Sequence, residues 1–130
     1  MSNILIADTQ SSYRKHLSNE LVRHGHNVIT VSQPVEFMDA IKEYKPDIVL
    51  IDKLFNGIER WESLRELKFT EPDLPVVIIS AFNDPNKQPA AIKADGFAIK
   101  NFNLNEIIYM IEDLLDQKYF MAQRQVPVNH

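Results

Sequence analysis

Two carboxylates, two hydroxyls and one lysine follow short apolar runs of this 130-residue sequence; in chain order they are Asp8, Thr9, Asp52, Ser80 and Lys100. This set of groups suits phosphoryl transfer, which needs a nucleophilic carboxylate, a divalent cation held by oxygen ligands, and positive or hydrogen-bonding groups around the phosphoryl oxygens. Each residue alone has an ordinary structural interpretation, as a helix cap, a turn residue or a surface charge. Their shared position at the ends of separate apolar runs favours a single site.

The apolar runs predict the β-strands that position these groups. Three of the five runs are rich in Ile and Val without clear alternation of polar and apolar residues, which is typical of strands buried on both faces of a parallel sheet. The runs are Ile4–Ala7, Val28–Val31, Ile48–Ile51, Val76–Ile79 and Phe97–Ile99. The ligand crevice of an open parallel sheet lies beyond the carboxyl ends of its strands, where Asp8, Asp52 and Lys100 fall.

Amphipathic segments between the first four runs predict three helices. Gly25 closes the first helix as a C′ residue, Ser32 caps the second, and Pro72 follows the third. Their inward-facing residues are Tyr13, Leu17, Leu21 and Val22 in the first helix, Val35, Met38 and Ile41 in the second, and Trp61, Leu64 and Leu67 in the third.

The last third of the chain predicts one short helix and one long helix. Prolines limit the fourth helix to about two turns, from Pro89 to Ala94. The final helix is capped by Asn103 or Asn105 and runs to about Gln123, with an inward face of Ile107, Ile111, Leu114 and Leu115. Alternation of strand and helix predicts one domain over residues 1–123, built as a parallel sheet with helices on both faces, and a tail at 124–130.

Composition excludes several classes of function. The chain has 14 Lys plus Arg against 18 Asp plus Glu, a net charge of −4, and no basic cluster, so direct nucleic acid binding by this domain is not expected. The absence of Cys excludes disulfides and thiol chemistry and favours a reducing, cytoplasmic location. The apolar runs are far shorter than the ~20 residues that cross a bilayer, so we expect no membrane contact and no signal peptide.

Four stretches of the sequence together resemble the receiver domain of two-component response regulators. They are Ile4–Asp8, Pro46–Asp52, Pro75–Phe82 and Ala94–Phe102. The resemblance covers nearly the whole chain and implies a flavodoxin-like (CheY-like) three-layer α/β sandwich, in which a five-stranded parallel sheet has the order 2-1-3-4-5. It further implies a signalling protein that is not an enzyme and at most assists its own phosphoryl transfer and dephosphorylation.

The resemblance also implies a role for each site residue. Asp52 accepts a phosphoryl group from the phosphohistidine of a histidine kinase or a histidine phosphotransfer protein. Lys100 pairs with the phosphoryl oxygens, and Ser80 and Phe97 form the switch that senses them. The implied Mg²⁺ ligands are Asp8, Asp52, the backbone carbonyl of Leu54 and, weakly or through a water, Thr9.

Four positions depart from the family's pattern. Thr9 stands where a second acid usually follows the first, which removes one negative charge and predicts weakly bound Mg²⁺. Asn56, Arg60 and Asn101 stand where Pro, Gly and Pro are usual. We therefore expect altered loop geometry, including at the cis peptide that the last Pro commonly supports.

Two other functions remain open at this point. A degenerate receiver would act as a protein-interaction module without phosphorylation, which the loss of an acid at Thr9 favours. A flavin-binding redox domain would use Thr9, Ser11 and Ser12 as hydroxyl donors to a phosphate at a helix N-terminus. The second alternative is the weaker one, because that loop has no Gly to let the backbone approach a phosphate closely.

The end of the final helix predicts an interaction surface. Tyr119, Phe120 and Met121 are consecutive large side chains that point in different directions, and one domain cannot easily bury all three. We expect the fourth helix, fifth strand and fifth helix to form the protein-binding face and to support a homodimer. The alternative is a frayed helix end that folds back on its own core.

Overall fold

Strands and helices alternate along the chain in the computed structural model, which describes residues 2–55, 62–81, 94–101 and 103–124. The elements are β1 (Asn3–Ala7), α1 (Ser11–Arg23), β2 (Asn27–Val31), α2 (Phe37–Tyr44), β3 (Ile48–Asp52), α3 (Glu62–Thr70), β4 (Val76–Ser80), β5 (Gly96–Ile99) and α4 (Asn105–Arg124). Each of the five apolar runs is a strand, one residue longer than predicted. The predicted Trp61 contact and the short helix at 89–94, apart from Ala94, lie outside the described residues.

The five strands form one parallel sheet in the order β2-β1-β3-β4-β5, so the predicted order is confirmed. The register pairs Ala7 with Ile51, Asp52 with Ile79, and Ser80 with Ile99. The carboxyl ends of β1, β3, β4 and β5 therefore lie within two residues of one another along the strand direction, and the residues that end or follow these strands meet at one edge of the sheet.

Alternate residues of the strands pack into two separate hydrophobic cores, one on each face of the sheet. Leu5, Val49 and Ile51 face α2 and α3, whereas Ile4, Ile6 and Leu50 face α1 and α4. The helical side chains that cover the first face are Phe37, Ala40, Ile41, Leu64 and Leu67, and those that cover the second are Tyr13, Leu17, Leu21, Ile107, Ile108 and Ile111. Burial on both faces explains the unbroken apolar runs of the central strands.

Two predicted core residues are exposed. Val22 is 56% exposed, because nine residues at about 100° each place it on the opposite side of α1 from Tyr13. Val35 is 84% exposed, since it lies in a separate 3₁₀ turn, Pro34–Glu36, where the spacing of α2 does not apply. Gln33, not Ser32, precedes this turn as its N-cap. Gly25 does follow α1 at C′, with a φ of +91°.

The final helix, α4, closes the second face of the sheet. The Asn103 carboxamide oxygen accepts a hydrogen bond from the backbone N–H of Asn105 at 3.0 Å, which satisfies a free donor at the start of the helix. Gly96 brings β5 close to α4, since a Cβ at this position would lie 2.8 Å from the Met110 sulfur. The helix continues to Arg124, and the proposed domain boundary after residue 123 stays a prediction. None of the helices in the described part of the chain is long and apolar enough to span a bilayer.

Candidate functional site

The predicted site residues meet in one cleft at the carboxyl edge of the sheet. Asp52 is the last residue of β3, Ser80 ends β4, and Asp8 and Lys100 directly follow β1 and β5. The cleft has a volume of about 140 Å³ and is lined by Asp8, Thr9, Gln10, Asp52, Leu54, Ser80, Ala81 and Lys100. Parallel strand ends therefore bring together residues that lie up to 92 positions apart in the sequence, from Asp8 to Lys100.

Lys100 joins the two carboxylates. Its ammonium nitrogen forms ion pairs with Asp8 Oδ2 at 2.7 Å and Asp52 Oδ2 at 2.5 Å, and it donates a hydrogen bond to Gln10 Oε1 at 3.0 Å. The Lys100 side chain is only 8% exposed, so solvent screens these contacts weakly. The backbone N–H of Lys100 donates to the Ser80 carbonyl at 2.7 Å, which fixes where the side chain begins. Asp8, Asp52 and Lys100 together carry a net charge of −1.

Backbone N–H groups orient both carboxylates. Leu54 N–H donates to Asp52 Oδ1 at 2.7 Å, and Gln10 N–H donates to Asp8 Oδ1 at 2.9 Å. In each case the donor lies two residues after the acid, as in an Asx turn. Each carboxylate thus has one oxygen held by the backbone and the other held by Lys100, so its orientation is fixed before any ligand arrives.

Tyr13 lies beside the ammonium on the α1 side. The Lys100 nitrogen is 5.0 Å from the centroid of the Tyr13 ring, within the range of a cation–π contact. The Tyr13 hydroxyl is buried and has no hydrogen-bond partner among the described residues. Burial, and then the charges of Asp8 and Asp52, raise the pKa of Tyr13 to about 12, so the phenol stays neutral.

The oxygen atoms of the cleft fit Mg²⁺ in type, since this ion prefers hard oxygen ligands and keeps several waters. Asp8 and Asp52 supply two carboxylates, and Thr9 and Leu54 also line the cleft. In the described ranges, however, no three His, Cys, Asp or Glu side chains are grouped so as to hold a metal ion. With two carboxylates and an ammonium between them, the residues fit a weakly held ion.

The two predicted switch residues lie in different surroundings. Ser80 is 3% exposed and lines the cleft. Phe97 is half-buried on β5, packs against the core under α2 and α3, and does not line the cleft. A coupled movement of Ser80 and Phe97 would therefore pass from β4 to the neighbouring strand β5.

The structure describes the predicted cluster at the end of α4 and one of the three predicted loop departures. Tyr119, Phe120 and Met121 of α4 are 67%, 60% and 54% exposed, as expected for a surface-facing cluster. Asn101 is exposed, and no peptide bond between described residues is cis. Asn56 and Arg60 lie outside the described residues.

Gln10 and Tyr13 are the site residues that sequence reasoning missed. Tyr13 is predicted only as an inward residue of α1, and Gln10 carries no prediction. The one available signal is that Gln10 lies in the loop after β1, two residues from Asp8. Nothing in the local sequence relates it to Lys100, which is 90 positions away.

Comparison with known proteins gives one consistent result. The family model for the response regulator receiver domain matches residues 4–112. The response regulator MprA of Mycobacterium sp. (strain KMS) is 29% identical over 114 residues, which cover 86% of this chain and 50% of that protein. MprA of Mycobacterium avium (strain 104) is 28% identical with the same coverage. The chain spans about half the length of the curated relatives it matches.

Solved structures agree with the sequence match. NtrX from Brucella abortus, in complex with ADP, superposes with a TM-score of 0.83 at 27% identity and covers 94% of this chain and 28% of its own. TrrA from Thermotoga maritima, in complex with Mg²⁺ and BeF, superposes with a TM-score of 0.74 at 25% identity, covering 88% of this chain and 99% of its own. Because the family match spans most of the chain and the fold agrees, this protein belongs to the response regulator receiver domain family.

Proposed function

We propose that this receiver domain accepts a phosphoryl group on Asp52 from a phosphohistidine and thereby switches a protein-binding face. The observation that carries the proposal is the contact between the Asp52 carboxylate, at the end of the central strand, and the Lys100 ammonium 2.5 Å away. Asp8 is held by the same ammonium. A nucleophilic oxygen, a second acid and a cation thus share one cleft, as phosphoryl transfer requires.

Asp52 is the nucleophile. One of its carboxylate oxygens forms a bond to phosphorus while the bond from phosphorus to the donor imidazole nitrogen breaks, and that nitrogen keeps the electron pair. The hydrogen bond from Leu54 N–H orients the carboxylate for this attack. Lys100 then donates to the phosphoryl oxygens, where its charge stabilises the negative charge of the transferring group.

Mg²⁺ is the proposed cofactor. Asp8, Asp52, the backbone carbonyl of Leu54 and, weakly or through a water, Thr9 would hold it. When bound, the ion supplies positive charge next to the phosphoryl oxygens. Two observations support this assignment: the carboxylate oxygens of Asp8 and Asp52 that line the cleft, and a relative that was solved with Mg²⁺ and BeF. Thr9 in place of an acid makes the expected affinity low.

Ser80 and Phe97 are the proposed switch. The buried position of Ser80 at the cleft supports a hydrogen bond from its hydroxyl to a phosphoryl oxygen, and Phe97 lies half-buried on the neighbouring strand. Moving a two-state equilibrium from 1:99 to 99:1 takes about 5.5 kcal/mol. Hydrogen bonds to charged groups contribute about 1.5–3 kcal/mol each, so two of them, from Lys100 and Ser80, contribute about 3–6 kcal/mol, and the upper end of this range meets the requirement.

The proposed partners follow from this chemistry and from α4. The phosphoryl donor is a histidine kinase or a histidine phosphotransfer protein. Because this chain itself receives the phosphoryl group, it acts on no separate substrate and only assists its own phosphorylation and dephosphorylation. The exposed Tyr119, Phe120 and Met121 support a homodimer through the face predicted from the fourth helix, fifth strand and fifth helix, of which the structure describes β5 and α4. Beyond the loss of an acid at Thr9, no feature of the described residues favours a phosphorylation-independent receiver.

Mass spectrometry of the intact protein tests the proposal. Incubation with a small acyl phosphate and Mg²⁺ should add the mass of one phosphoryl group, and Asp52→Asn should add none. Asp47→Asn is a matched control, because Asp47 lies at the opposite end of β3 and should leave the added mass unchanged. A wild-type chain that gains no mass would overturn the proposal in favour of the phosphorylation-independent receiver.

A further inference from the structure

The Lys100 ammonium has three close oxygen neighbours. An ammonium carries three N–H groups, and Lys100 has three oxygen neighbours within 3.0 Å: Asp8 Oδ2, Asp52 Oδ2 and Gln10 Oε1. The face of Tyr13 lies 5.0 Å from the same nitrogen. The ammonium is therefore held on four sides, by two acids that the receiver chemistry uses and by two residues to which it assigns no role.

Gln10 and Tyr13 occupy the two sides that the carboxylates leave open. Gln10 is exposed while the Lys100 side chain is buried, so the Gln10 carboxamide covers the ammonium toward solvent. Its backbone N–H also fixes Asp8 Oδ1, which ties the position of the carboxamide to that of the acid. Tyr13 is 9% exposed and packs in the core of α1, so its ring is a rigid support.

We infer that Gln10 and Tyr13 are positioning residues that hold the Lys100 ammonium between Asp8 and Asp52. The held ammonium offsets one of the two negative charges of Asp8 and Asp52 from within the protein, in a cleft with no third acid among the described residues. Mg²⁺ must then compete with Lys100 for the same carboxylate oxygens, while Lys100 stays ready to bind the phosphoryl group. The role of Lys100 toward the phosphoryl group rests on the proposed function, whereas its competition with Mg²⁺ does not.

Two measurements on the full chain test this inference. Calorimetric titration gives the Mg²⁺ dissociation constant, and intact mass against time gives the rate of phosphoryl uptake at saturating Mg²⁺. Gln10→Leu removes the acceptor at similar size, and Tyr13→Leu removes the aromatic face. Tyr13→Phe keeps that face, and Ser12→Ala changes an exposed neighbour on the same helix end.

The two readouts should move in opposite directions. Losing a contact worth about 1 kcal/mol frees the carboxylates from Lys100, so Gln10→Leu and Tyr13→Leu should bind Mg²⁺ about fivefold more tightly. The same variants should take up phosphoryl groups several-fold more slowly, because Lys100 is no longer aligned. General damage to the fold would instead weaken both, whereas the conservative variant Tyr13→Phe should reverse most of the change seen in Tyr13→Leu, and Ser12→Ala should match the wild type.

Unchanged or weaker Mg²⁺ binding in Gln10→Leu would overturn the inference, and this exposed position keeps the test valid if Tyr13→Leu fails to fold. An unchanged uptake rate in Gln10→Leu would also overturn it. If the wild type takes up no phosphoryl group, the proposed function fails, and the Mg²⁺ titration alone decides whether Gln10 and Tyr13 hold Lys100.

Discussion

Replacing Tyr13 by Phe removes one buried hydroxyl and leaves the ring in place. The hydroxyl has no hydrogen-bond partner among the described residues. Burying an unpaired hydroxyl costs about 1–3 kcal/mol. We therefore expect Tyr13→Phe to raise the free energy of unfolding by about 1 kcal/mol at neutral pH, which corresponds to a rise in Tm of about 3–5 °C for a chain of this length.

The difference in the free energy of unfolding between Tyr13→Phe and the wild type should increase above pH 10. Burial, followed by the charges of Asp8 and Asp52, raises the pKa of Tyr13 from 10.0 to about 12 in the folded protein. Between these values the unfolded chain loses a proton that the folded protein keeps, so wild-type stability falls as the pH rises from 10 to 12. Two pKa units correspond to about 3 kcal/mol, and the Phe variant lacks this loss.

Urea unfolding followed by circular dichroism, at neutral pH and in steps from pH 10 to 12, measures both effects. The two proteins should have equal m values, so that the midpoints report stability alone. Tyr109→Phe is the matched control, because Tyr109 is 75% exposed on α4 and should change neither stability nor its pH dependence. A Tyr13→Phe variant less stable than the wild type, or stability curves that stay parallel in alkali, would refute the reasoning.

Three further predictions concern the acids, the lysine and the end of α4. Thr9→Asp should bind Mg²⁺ more tightly, because it adds a third carboxylate, and it should lower the stability of the metal-free protein, because three carboxylates repel one another. Calorimetry that shows equal or weaker Mg²⁺ binding would mean that Thr9 does not face the ion. Lys100→Met should lower the free energy of unfolding by about 3–5 kcal/mol, since it leaves Asp8 and Asp52 buried without a cation, and added Mg²⁺ should restore part of it; a loss below about 1 kcal/mol in urea unfolding would contradict this. Truncation after Gln117 should abolish concentration-dependent dimerisation in analytical ultracentrifugation, and a full chain that sediments as a monomer with and without phosphorylation would exclude the dimer.

The sequence predicts the strands well because burial on both faces leaves a direct pattern. The run from Val76 to Ile79 is apolar without a break because its strand has a hydrophobic core on each face of the sheet. The helix faces are predicted less well. Val35 has the right spacing to point inward with Met38 and Ile41, but the chain forms a 3₁₀ turn at Pro34–Glu36 before α2 begins.

The site is predictable where a rule about strand ends applies and not where it depends on side-chain contacts. Asp8, Asp52 and Lys100 each mark a strand end, so their convergence follows from the sheet alone. The contact of Gln10 with Lys100 depends on side-chain conformations after folding, and no local pattern encodes it. Tyr13 is predicted correctly as a core residue, but its proximity to an ammonium follows only from where the Lys100 side chain lies in the folded protein.

The central claim is that Asp52 carries the phosphoryl group, and borohydride trapping tests it most directly. Borohydride reduces an acyl phosphate to an alcohol with release of phosphate, so a phosphorylated aspartate becomes homoserine at a position that peptide mass spectrometry can locate. After incubation with the acyl phosphate and Mg²⁺, we expect homoserine at position 52 and unmodified aspartate at position 8. Homoserine at Asp8 or at another acid, with Asp52 unmodified, would contradict it.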